Sequence, residues 1–208
     1  MTDELRNIIT GTIAITEGDF IQTALHFLRE CQKTGGAIEE SELFSKEDEV
    51  SRLKSFASNQ NLWFDAFNKD NYIGEGAEQK VYLRENGKKV IKINDTIFYE
   101  TWSDYFISLL IHNYLFPSTA YYFLGFYQDD KGFYGVVEQP FIKSDEETDL
   151  VALRLFLEKN GFKHNRNNDY YSDELGIILE DLHDENVLTN QGVFFVIDSA
   201  IYVLKEHF

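Results

Sequence analysis

Apolar residues recur at helical spacing in the first third of the chain and at strand spacing beyond it. Phe20, Ala24, Phe27, Leu28 and Cys31 fall on one face of a helix. Asp19 is placed to cap that helix and Gly35-Gly36 to stop it. Val50, Leu53 and Phe56 predict a second helix from Ser45 to about Ser58, opened by a Ser45/Asp48 capping pattern. Residues 1–70 thus read as a helical extension, docked on the rest of the chain by Leu62-Trp63-Phe64 and Phe67. They carry no evident chemistry, so a packing role is expected of them.

The period changes at Tyr72. Tyr72-Ile73-Gly74-Glu75-Gly76 leads into Lys80–Arg84, and Asn86-Gly87 is a strong two-residue hairpin signal. The return strand, Lys89–Ile93, puts Val90 and Lys92 on one face and Ile91 on the other. A helix fits Thr96–Phe116, with Phe98, Trp102, Tyr105, Phe106, Leu109 and Leu110 as its apolar side, ended by Pro117. A second hairpin joins Tyr121–Tyr127 to Phe133–Ile142. A helix over Asp149–Lys159 ends at Gly161. Lys163–Tyr171 reads as a polar, mobile stretch. Short strands at Ile177–Leu179, Val187-Leu188 and Val193–Ile197 come next, the last ending at Asp198.

Composition narrows the class. With 208 residues, 43% of them hydrophobic and 15% aromatic, the chain can bury a core and is not a disordered segment. A net charge of −17 opposes nucleic acid, whose phosphates call for Lys and Arg. It does not oppose a nucleotide, which one basic group and Mg²⁺ can hold. The single cysteine, Cys31, permits no intrachain disulfide, and there is no zinc-type Cys/His spacing. Neither a signal peptide nor a run able to span a bilayer is evident. A soluble, cytoplasmic protein without membrane or nucleic-acid partners is expected.

The chemistry concentrates near the end. Asp181 is followed five places on by Asn186 and, twelve places later, by Asp198. Each alone is an ordinary turn residue. Together, behind a glycine turn and a strand lysine, they supply a carboxylate for a transferable proton and two hard oxygen ligands for Mg²⁺, as phosphoryl transfer from ATP requires. The order of elements resembles the protein-kinase-like fold shared by protein kinases and aminoglycoside phosphotransferases. More narrowly, it resembles the small polyvalent protein kinases of bacterial mobile elements. The residues carrying that likeness are His112-Asn113, Phe116-Pro117, Gly125-Phe126, Glu138-Gln139-Pro140-Phe141, Asp181-Leu182-His183 and Glu185–Leu188. It covers about residues 72–200.

The resemblance implies an α+β, two-lobed kinase-like fold. Residues 71–137 would form the N-lobe and 138–208 a minimal C-lobe, behind the helical extension 1–70. Gly74 and Gly76 would cover the phosphates, and Val81 would lie against adenine. Lys92 would hold the α- and β-phosphates, oriented by Glu100 on the next helix or, failing it, by Asp104. Pro140 has no N–H, so the Val137 carbonyl and the Gln139 N–H are expected to face adenine. Asp181 would orient the acceptor hydroxyl, and Asn186 and Asp198 would bind Mg²⁺, with His183 a structural hydrogen bonder. ATP and Mg²⁺ are the implied cofactors, with a protein Ser/Thr hydroxyl as the expected acceptor. A small-molecule kinase, or a pseudokinase acting as a nucleotide-binding interaction module, stand as alternatives.

Some positions depart from the family pattern. Gln79 replaces the third loop glycine. Leu179-Glu180 stand where protein kinases have His-Arg before the Asp, which argues against regulation by a phosphorylated activation loop. Ser199-Ala200 follow Asp198 in place of Phe-Gly, and ten residues remain after it, so the usual activation segment and helical substrate platform are not expected.

Overall fold

The computed structural model describes residues 1–13, 20–34 and 45–204, the side chains of residues 33 and 34 excepted. The expected cap Asp19 and stop Gly35-Gly36 lie outside the described residues. Three helices come first: α1 (Asp3–Thr10), α2 (Phe20–Thr34) and α3 (Lys46–Gln60). Helix α3 starts where the sequence places it, because Ser45 and Asp48 close a reciprocal capping box that satisfies donors the helix cannot.

Next come β1 (Tyr72–Glu75), β2 (Gln79–Leu83), β3 (Lys89–Asn94), α4 (Trp102–Leu115), β4 (Tyr122–Gln128) and β5 (Phe133–Pro140). The five strands form one sheet in the order β1-β2-β3-β5-β4, antiparallel at every pairing. Gly87, at φ +65°, makes the β2–β3 hairpin, and Arg84 N–H donates to the Lys89 carbonyl across it. The segment after α3 straps the outer edge of β4. Phe126 N–H donates to Leu62 O at 2.7 Å and Phe64 N–H to Phe126 O at 2.8 Å. This approach requires glycine at 125, where φ is +134° and a Cβ would meet Leu62 O at 2.1 Å.

Helix α4 begins at Trp102 rather than Thr96. The Asn94 and Asp95 side chains accept from the N–H groups of Thr96 and Ile97, turning the chain away from the helix. A capping box between Thr101 and Asp104 then fixes the start. The helix is buried on almost every side, against α1, α2 and α3. Its N-terminus is pinned from α3. Buried Glu49 accepts from Trp102 N–H at 2.6 Å and Ser103 Oγ at 2.7 Å, and Lys46 Nζ donates to the carbonyls of Thr96 and Tyr99.

The remainder contains α5 (Leu150–Lys159), β6 (Lys163–His164), β7 (Tyr170–Ser172), β8 (Ile177–Glu180), β9 (Val187–Asn190), β10 (Val193–Val196) and β11 (Ala200–Val203). Strands β11-β8-β7-β6 form one sheet and β10-β9 a hairpin. Lys163–Tyr171, expected to be mobile, instead forms β6 and part of β7, anchored by buried Tyr170. Strand β11, which the sequence pattern did not predict, pairs with β8 and packs on α4. One cluster of buried residues runs from Leu5 and Leu25 through Trp102 and Phe106 to Leu179 and Ile201. Among the described residues no helix is long and apolar enough to cross a membrane. The mixed helix and sheet architecture is the expected α+β one.

Candidate active site

A cleft of about 280 Å³ opens between the five-stranded sheet and the β8–β10 region. Val81, Val90, Leu188 and Ile142 line it with apolar side chains, Lys92, Asn186 and Asp198 meet in it around Ile197, and Gly74, Gly76, Gln79 and Gln139 complete its walls. Lys92 is its one cationic side chain among the described residues. Of the site residues expected from sequence, Asp181 does not line the cleft but is bonded to Asn186, which does, Val137 lies in the sheet opposite Lys92, and Glu100 lies outside.

Strand β3 is buried on both faces, and its alternation puts Lys92 on the face it shares with Val90, toward the cleft. Lys92 is 4% exposed. Its Nζ donates to the Ile197 carbonyl at 2.7 Å and stands 5.4 Å from the Tyr121 ring centre. Burial lowers its pKa, opposed by the charges of Asp198 and then Glu78. Among the described residues no carboxylate oxygen lies within 4 Å of Nζ.

The structure corrects the expected orienting residue, because Glu100 does not approach buried Lys92. Glu100 is exposed and precedes the cap Thr101, so it is not on α4 at all. Asp104, the fallback, is consumed in the capping box. The side of α4 facing the lysine region offers Tyr105, Ser108 and His112. His112 is neutral, its pKa held down to about 3 by burial.

The adenine-facing pair is corrected too. Phe141 N–H donates to Lys88 O at 2.9 Å, which makes Lys88 and Phe141 a hydrogen-bonded pair of the β3–β5 ladder. Such pairs alternate in antiparallel sheets. Gln139 opposite Val90, and Val137 opposite Lys92, therefore spend their main-chain groups on β3. The Gln139 side chain, 1% exposed, donates to Thr119 O at 2.7 Å. Pro140 and Ile142 fall on the other phase of the alternation, and both line the cleft.

The Asp/Asn loop is local. Asp181 sits at φ +68°, a conformation that Asp tolerates. Asn186 Nδ2 donates to the Asp181 carbonyl at 2.9 Å and to Asp181 Oδ2 at 3.1 Å. His183 Nδ1 accepts from Glu185 N–H at 3.2 Å, which puts the proton of a neutral ring on Nε2, 3.3 Å from Asp181 Oδ1. His183 and Asn186 together hold an exposed carboxylate in one orientation. The Asn186 carbonyl accepts from Ile197 and Asp198 N–H, tying this loop to the second aspartate.

Two residues shape the site without having been given a part by the sequence. Gln79 Nε2 donates to Asp198 Oδ2, joining the glycine loop to the opposite wall. Glu78 turns inward beside it, and burial raises its carboxyl to about 7. In sequence, nothing distinguishes Glu78 from the exposed Glu75 of the same loop.

The donor set suits a hard cation. With the Asn186 amide nitrogen engaged by Asp181, its Oδ1 is left to face a ligand, beside the Asp198 carboxylate. No group of three or more His, Cys, Asp or Glu forms a cage among the described residues. Mg²⁺ typically takes one or two protein oxygens and completes its shell with phosphates and water.

No curated protein matches the chain. A family described as serine/threonine/tyrosine kinases found in polyvalent proteins matches residues 46–205. The match begins in α3, so the helix that pins α4 lies within it. The strand lysine, the Asp/Asn loop and Asp198 meet in one cleft within the matched region, and the chain belongs to this family of kinases.

Proposed function

We propose that the chain is an ATP- and Mg²⁺-dependent kinase that transfers the γ-phosphoryl group to a Ser or Thr hydroxyl of a protein. The convergence of Lys92, Asn186 and Asp198 around Ile197, in a cleft that also has apolar walls, carries this reading. Adenine lies between Val81 and Val90 on one side and Leu188 on the other. Its edge meets the Pro140 carbonyl and the Ile142 N–H. Lys92 neutralises the α- and β-phosphates under the loop of Gly74 and Gly76. Asn186 and Asp198 hold the cation, which supplies charge neutralisation at the phosphates. Asp181, steadied by Asn186 and His183, orients the acceptor hydroxyl and takes its proton. The hydroxyl oxygen bonds to the γ-phosphorus as the bond to the β-phosphate oxygen breaks and ADP departs. Positioning and fixed charge do the work.

The bond from Gln79 to Asp198 favours a second reading, a nucleotide-binding module without turnover, because it occupies an oxygen the cation would use. Thermal shift and transfer of label from [γ-³²P]ATP to mixed Ser/Thr peptides separate the two. The kinase reading expects stabilisation by Mg–ATP that Asp198→Ala abolishes, and transfer that Asp181→Asn lowers by about 10²-fold or more. Stabilisation without transfer supports the second reading. Transfer that survives both substitutions overturns the assigned site.

A further inference from the structure

Kinase catalysis needs a carboxylate that holds the strand lysine on the phosphates, ordinarily one supplied by the helix after the lysine strand. Here that helix cannot supply it. Its one acidic side chain, Asp104, caps its own N-terminus, and Glu100 stands in solvent before it. The face of α4 toward Lys92 is Tyr105, Ser108 and His112, none of them charged. Nor does α4 have freedom to bring another group in, since Glu49 and Lys46 pin its start.

The space behind Lys92 is instead entered from the glycine loop. Glu78 lines the small cavity formed with Asn94, Tyr99, Tyr105, Ser108, His112, and Asp198. Its main chain is fixed by Asp95 N–H donating to Glu78 O at 3.0 Å. Burial raises its carboxyl, opposed first by the Asn94 side chain. Its Oε2 is buried and has no hydrogen-bond partner among the described residues. An unpaired buried acceptor is costly to keep, and this one shares its cavity with Tyr121, whose ring centre Lys92 Nζ faces at 5.4 Å, and with Val137, opposite Lys92 in the β3–β5 ladder.

Resting on the ATP-dependent reading above, we propose that Glu78 is the positioning residue for Lys92, supplied by the phosphate loop instead of by α4. Glu78 and Gln79 are adjacent, and Gln79 reaches Asp198. Loop closure, lysine orientation and placement of the second aspartate thus become a single movement.

The test is calorimetric titration of the full chain with a non-hydrolysable Mg–ATP analogue and, separately, with adenosine, which has no phosphates for Lys92 to hold. Glu78→Gln weakens the analogue about tenfold, the size of one charge-assisted contact, and leaves adenosine unchanged. Glu78→Asp recovers part of the loss, and Glu100→Gln changes neither ligand. In a Lys92→Met background Glu78→Gln adds nothing further. An analogue affinity unaffected by Glu78→Gln, or additive losses in the double variant, overturns the proposal. So does equal loss of adenosine in both Glu78 variants, which would make the residue structural. If Lys92→Met itself leaves the analogue affinity unchanged, the ATP reading fails and this proposal with it. If Lys92→Met weakens binding and Glu78→Gln does not, only the proposal fails.

Discussion

The two halves of the site are built in opposite ways. Asp181 is held by His183 and Asn186 through bonds spanning at most five positions, on a loop whose aspartate is 65% exposed. Lys92 is buried, and its nearest partner, the Ile197 carbonyl, is 105 positions away. The first half needs only a loop of the right shape, and water solvates its charges. The second needs the whole fold, because a buried ammonium has to be compensated by groups that distant segments deliver. The buried half should therefore trade stability against function, while the exposed half should carry function alone.

Lys92→Met tests the trade most severely. Loss of a fixed cation at the phosphates should lower phosphoryl transfer by about 10²–10³-fold. The same substitution removes a buried charge that has no carboxylate of the described residues within 4 Å and leaves an apolar chain of similar length. The melting temperature without nucleotide should rise. Parallel rate and melting measurements decide it, and a fall in both would break the comparison.

The support of the buried half should be nearly as sensitive. Glu49 is 1% exposed and satisfies Trp102 N–H and Ser103 Oγ. Glu49→Ala strands both donors, at about 2 kcal/mol in urea unfolding. The rate should fall with it, since α4 frames the lysine cavity.

His112, on the same helix, gives that half an acid limit. Burial holds its imidazole at about 3, against the ordinary 6.5. The unfolded chain takes up a proton below pH 6.5 and the folded chain does not. The stability is complete above pH 6.5 and is lost progressively as pH falls toward 3, by about 1.4 kcal/mol per unit. His112→Gln keeps a donor for the Thr119 carbonyl, which His112 Nε2 meets at 3.1 Å. The variant's urea midpoint should fall less steeply with acid than the wild type's. Equal slopes would remove His112 from the account.

The same division explains what could be read from sequence. The Asp/Asn loop, the Asn86-Gly87 hairpin, the Ser45 cap and the phase of β3 were legible because each depends on neighbours a few places apart. Lys92 was legible for the same reason, as the inward residue of an alternating strand. Its surroundings were not. Choosing Glu100 assumed that the helix begins at Thr96, whereas side-chain bonds from Asn94 and Asp95 delay it to Trp102. Choosing Val137 and Gln139 took the right strand in the wrong phase, which only the Lys88–Phe141 pairing reveals. Strand β11 was missed because its alternation is short and its pairing with β8 is a tertiary fact.

The exposed half yields the smallest effect and the clearest discrimination. Asp181 stands at φ +68°, where Asn is at home and Ala pays a penalty of roughly 1 kcal/mol. Asp181→Asn keeps an amide oxygen that can accept from Asn186 Nδ2 or His183 Nε2, and the carbonyl that binds Asn186 is untouched. Its stability should stay within about 0.5 kcal/mol of wild type, as for surface substitutions that leave backbone conformation and caps intact. Asp181→Ala should fall below it by the left-handed penalty alone. Denaturation of the two variants side by side resolves this. A larger drop in Asp181→Asn would mean that the ionised carboxylate, and not the loop's own turn, holds Asn186 and His183 together.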